Sequence, residues 1–346
     1  MVQEAKSGVR YPQSWVDRLI GTIERLPGPA WVTYTAMFVV LLVAANAAGW
    51  LDGDLAIGSF DPYLSSLAVY PVVALAAIHY LDAKALDALQ TLRPALSIDD
   101  EDFRSLRYQL TTLPALPTVV WSLAGLAFAV GYVVFGLALP VRQRGPAAIS
   151  FDAATALVGF PLLAVLFFHT VRQLRLISRI QQQLARIDIF QLEPLLAFSG
   201  VTARNGSIIL GLAYVSAATD PSTFALTNPT LLAFVVISIL IAIAAFVLPL
   251  YGIHQRIEKE KERLAAAANR DLQSVLAEVS RRARTADLTD ADALNKQLSS
   301  VVIQRDVIAR IPTWPWEAAT LRGFITAVLL PVALWLVLRA LDRLIA

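Results

Sequence analysis

The chain has 346 residues, of which 57% are hydrophobic and 16% charged, and its mean hydropathy is +0.60. Soluble domains carry closer to a quarter charged residues, so most of this chain belongs in lipid. The absence of cysteine excludes disulfides, thiolate metal sites and cysteine nucleophiles, and 29 basic against 27 acidic residues leave no basic excess of the kind that binds nucleic acid.

Residues 1–30 open the chain with an amphipathic helix. Trp15, Val16, Leu19, Ile20, Ile23 and Leu26 share one helical face, with Asp17, Arg18, Glu24 and Arg25 on the rest. That pattern predicts a helix lying on the inner leaflet, ended by Pro27-Gly28-Pro29.

A hydrocarbon core of roughly 30 Å takes about 20 helical residues. Six stretches qualify, near 31–50, 64–81, 118–139, 153–171, 231–252 and 319–338. A seventh, 206–217, is short and preceded by Arg204. Lysine and arginine decide its reading. If 206–217 crosses, 24 of them fall in the segments on one side and 2 in those on the other, as positively charged cytoplasmic loops require. The expected fold is therefore an all-α polytopic membrane protein of seven spans with a cytoplasmic helical hairpin. Its amino terminus is cytoplasmic, its carboxyl terminus external, and the cell inner membrane is its expected location. The alternative is a re-entrant half-helix.

The outer connections are short, decorated by Asp52, Asp54 and Asp61, then by Arg142 and Arg144. Within the bundle, residues 31–252, the third span carries two small-residue pairs, Gly125 with Ala129 and Ala127 with Gly131. Such pairs let helices approach closely, within one chain or between copies. Prolines 71, 161, 249 and 331 interrupt spans, and no carboxylate is expected well inside any of them.

Residues 97–113 predict a short helix beginning at Ser97-Ile-Asp-Asp100. Residues 253–311 predict the hairpin. From Tyr251 to Arg284 there is no proline and Gly252 is the only glycine, so the sixth span should continue into the cytosol as one rod. A turn at 285–290, capped by Thr289 and Asp290, leads to a second helix over about 291–310. Residues 312–346 hold an interfacial hinge and the last span. Pro312 and Pro315 end the hairpin, Trp314 and Trp316 suit the headgroup layer, and Arg322 and Pro331 mark a mobile last helix.

His79, His169 and His254 each fall near the inner foot of a different span, forming a candidate layer for a metal or for pH sensing. No acid pair, serine with a base, or glycine-rich phosphate loop is present, so no catalytic site and no cofactor are expected. The run Asp99-Asp100-Glu101-Asp102 reads as a solvated helix start.

The order of spans, with a cytoplasmic amino terminus, an external carboxyl terminus and most aqueous mass in the cytosol, resembles the topology of insect chemoreceptor channels. The resemblance is architectural and carries no residue role. The expected function is a passive, channel-like conduit, with the bilayer and a second copy of the chain as partners. The competing reading is a non-conducting scaffold or signalling subunit whose hairpin docks a cytoplasmic protein.

Overall fold

A computed structural model describes residues 11–135, 144–184, 187–219, 229–285 and 291–329, with Ala333. Every regular element of any length among them is helical: α1 Trp15–Glu24, α2 Ala30–Leu51, α3 Pro62–Leu67, α4 Val69–Leu92, α5 Asp100–Thr111, α6 Ala115–Phe135, α7 Pro146–Arg179, α8 Glu193–Leu196, α9 Ser199–Thr219, α10 Pro229–Thr285, α11 Ala291–Arg310 and α12 Ala318–Leu329. Six helices are long and apolar enough to cross a membrane, including the one that contains 206–217. The chain has a multi-pass helical membrane-protein fold. Pro331 and the caps Thr289 and Asp290 lie outside the described residues.

Helix α1 starts on a reciprocal cap, in which Ser14 accepts from the Asp17 amide and Asp17 accepts from Ser14. The Asp17 carboxylate also accepts from the Leu113 amide at 3.0 Å, tying α1 to the start of α6, while burial raises its pKa above the ordinary carboxylate value. Only part of the apolar face of α1 is left for lipid. Val16, Ile20 and Ile23 are buried against Leu75, Ile78 and Leu81 of α4, and Trp15, Leu19 and Leu26 point outward. Helix α5 is capped by Asp99, two residues beyond Ser97, through the Asp102 amide at 2.8 Å.

At one end of the bundle the three loop aspartates form a latch. Asp52 accepts from the Ala147 and Ala148 amides at 3.0 and 2.8 Å, satisfying two of the orphan donors that every helix start exposes. Asp54 accepts from the Gly145 amide at 2.8 Å, and Asp61 pairs with Arg144 at 2.8 Å. Because the latch starts α7 at Pro146 rather than near 153, Asp152 falls inside the helix. It is 5% exposed, in the second turn of α7 near the latch, and accepts from the Tyr132 hydroxyl at 3.2 Å.

The small-residue face of α6 meets α7 of the same chain. A Cβ on Gly125 would sit 2.5 Å from the Phe160 carbonyl oxygen and 2.7 Å from Pro161 Cα, and Ala129 is fully buried. Ala127 faces outward.

Helix α10 is unbroken for 57 residues, through Pro249, or about 85 Å. Helix α9 packs along it, with Gly206 against the Ala242 carbonyl and the Phe324 ring of α12. Helix α11 returns antiparallel along the polar half of α10: Lys261 reaches Ala309 and Ile311, while Val279 and Arg282 face Leu294 and Leu298. Gly125→Val is expected to destabilise the protein by about 1–3 kcal/mol through overpacking, with Ala127→Val close to wild type; thermal unfolding in detergent measures both.

Candidate functional site

Two features at the basic end of the bundle gather the polar side chains that the apolar packing does not explain. The first is the joint where α10 leaves the bundle. His254 stacks on Trp314 with centroids 4.0 Å apart and planes 5° from parallel, and Trp314 stacks on Trp316 at 4.4 Å and 8°. Trp316 lies against Phe246 at 5.5 Å, and Phe246 against Phe324 of α12 at 4.5 Å. This ladder of five rings joins α10 to α12 through the segment that holds Pro312 and a buried Pro315. The tryptophans thus face each other and His254 instead of standing singly among headgroups. His254 Nδ1 lies 3.1 Å from the Thr313 carbonyl, which can only accept, so Nδ1 carries the hydrogen.

Two cations lock the joint. Lys261 Nζ donates to the Ala309 and Ile311 carbonyls at 2.8 and 2.7 Å, capping the end of α11. Arg256 donates to the Gln181 and Gln182 carbonyls at 2.6 and 2.8 Å, where α7 loosens into a π turn over Ile180–Leu184. Gly252 lies beside them, against the Gln182 side chain. Arg322 is exposed and bonds to the Ala318 carbonyl of its own helix.

The second feature is a buried polar patch between α4, α7 and α9. His169, 2% exposed, places Nε2 2.8 Å from Asp82 Oδ1. Gln173 donates weakly to the Leu81 carbonyl at 3.4 Å, and its own oxygen accepts from Asn205 at 3.3 Å. Two buried polar atoms of the patch have no partner among the described residues, His169 Nδ1 and Asn205 Oδ1, and two more lie further toward the basic end, Gln181 Oε1, whose amide nitrogen donates to the Leu195 carbonyl, and Ser199 Oγ. The carbonyl oxygens of Asn205 and Gln181 are acceptors with no donor among the described residues. Toward the aspartate latch the α4–α7 contact turns apolar, through Leu75, Ile78, Leu162, Val165 and Leu166.

The three histidines do not meet. His79 lies 3.1 Å from Glu24 and 3.1 Å from the Tyr34 hydroxyl, His169 pairs with Asp82, and His254 stays within the joint. Among the described residues no three His, Asp or Glu side chains converge to hold a metal. Asp82, Gln173, Asn205, Arg256 and Lys261 carry these arrangements and were not singled out by sequence.

Comparison with known protein families, with curated proteins and with solved structures finds no match to this chain.

Lys261→Met removes the cap on two carbonyls. It is expected to speed hydrogen exchange of the amides of residues 305–311 on the order of ten-fold, while the amides of α4 keep their wild-type protection.

Proposed function

We propose that the protein is a membrane-anchored coupling subunit, crossing the bilayer seven times, that holds a helical hairpin in the cytoplasm as a docking element for a protein partner. The observation that carries this reading is the continuity of α10. About 20 of its residues suffice to cross the membrane, and the remainder from Gly252 to Thr285 stands about 50 Å into water as a rod. Nothing in the bundle requires that length. A rod held at its foot by stacked rings and two cation-to-carbonyl clamps passes displacement on instead of absorbing it at a flexible linker. Its second helix leaves Ile303 and Val307, one turn apart, 63% and 47% exposed, an apolar pair among exposed residues that are otherwise polar, charged or alanine.

Packing and charge together support the side on which the rod stands. Since α9 and α10 are antiparallel neighbours, the foot of the rod lies at the end of the bundle where α7 finishes, and Arg256 bonds to that finish directly. The basic segments 172–205 and 253–318 then share one compartment, the cytoplasmic one by the rule for positive charge.

A second reading, a passive conduit, is favoured by one observation: the unpartnered acceptors around His169, Gln181 and Asn205 would suit water or a cation. The apolar contact beyond them weighs against it.

Purified protein in liposomes is expected to pass common ions no faster than empty liposomes, with or without residues 256–310. In cells, a photo-crosslinking residue at Ile303 is expected to give a discrete adduct that Val307→Asp removes. Ion flux above empty liposomes that Asn205→Leu abolishes would replace the docking reading with the conduit.

A further inference from the structure

A groove of about 590 Å³ opens between α5, α6 and α7. Its floor is aromatic. Trp121 stacks on Phe168 at 6.1 Å and leans on Phe167 at 5.7 Å, and Trp121 and Phe167 remain 36% and 46% exposed. Its rim is cationic. Arg172, Arg175 and Arg179 follow at spacings of three and four, so they stand above one another on one helical face. Arg172 is held in place, with its guanidinium over the Tyr11 ring and donating to the Tyr11 hydroxyl. Arg175 and Arg179 are exposed and make no ion pair among the described residues.

We propose that this groove holds the headgroup of an anionic phospholipid, with the upper part of an acyl chain on Trp121 and Phe167. The order of residues along α7 argues for an amphiphile: apolar rings end at Phe168, and the three guanidinium groups begin four residues later, where a span of helix passes from hydrocarbon to headgroup. A soluble anion has no use for the aromatic floor, and an apolar ligand has no use for the rim. Guanidinium forks match phosphate oxygens in geometry as well as charge.

Native mass spectrometry of the full chain in neutral detergent, titrated separately with phosphatidylglycerol, phosphatidylcholine and inorganic phosphate, tests this. The wild type is expected to retain phosphatidylglycerol on the order of ten-fold better than phosphatidylcholine. The R175Q/R179Q pair should lose that preference, R175K/R179K should keep most of it, and R270Q on the distant rod should match the wild type. Should the glutamine pair not fold, Trp121→Ala answers the same question by weakening phosphatidylglycerol retention through loss of the floor. Equal retention of the two lipids by the wild type, unchanged preference in the variant tested, or displacement of the lipid by inorganic phosphate alone would overturn the proposal.

Discussion

A charged side chain cannot rest cheaply in the hydrocarbon layer, so a chain that threads the layer repeatedly must carry its charges to the two ends of the helices. Here the ends are chemically distinct. One carries Asp52, Asp54 and Asp61 with Arg144, and it closes on itself through capped amides and an ion pair. The other carries Arg172, Arg175, Arg204, Arg256 and Lys261, and its cations reach carbonyls, hydroxyls and ring faces. Arg204, the residue that made the fifth helix doubtful, donates to the Tyr80 hydroxyl near the foot of α4.

Between these ends the contact of α4 with α7 is apolar, and it divides the labour. The aspartate latch ties the α2–α3 connection to the start of α7, the Gly125 contact sets the spacing of α6 and α7, and the apolar face of α4 packs beside α7. The basic end is free to hold polar groups that are only half satisfied. That is where α10 departs, where α7 slackens into a π turn, and where α12 is joined through stacked rings.

Much of this was legible in the letters. The spans, the amphipathic first helix with its Pro-Gly-Pro stop and the unbroken rod all follow from periodicity and from where proline and glycine stand, and each is a local property. What stayed hidden depends on partners far away in sequence. Nothing in Asp52 announces that it caps a helix 95 residues on. Asp152 looked like a loop residue because the start of α7 is set by that cap. The Gly125–Ala129 pair declared a close contact but could not name its neighbour. His79, His169 and His254 were read at one depth from their places in the spans, and their azimuth, which only packing gives, keeps them apart. Trp314 and Trp316 suited the headgroup layer by type, and their stacking on His254 required the rod's foot to be there.

The central claim is that the foot of the rod and the basic ends of α4 and α7 occupy one compartment, across the membrane from the aspartate latch. The cysteine-free chain permits a direct measurement: a single cysteine at Ile57 or at Ser300, probed in intact cells with a membrane-impermeant maleimide. Labelling of Ile57→Cys from outside, with Ser300→Cys reacting only after the membrane is opened, is the expected result. Labelling of Ser300→Cys in sealed cells would contradict it.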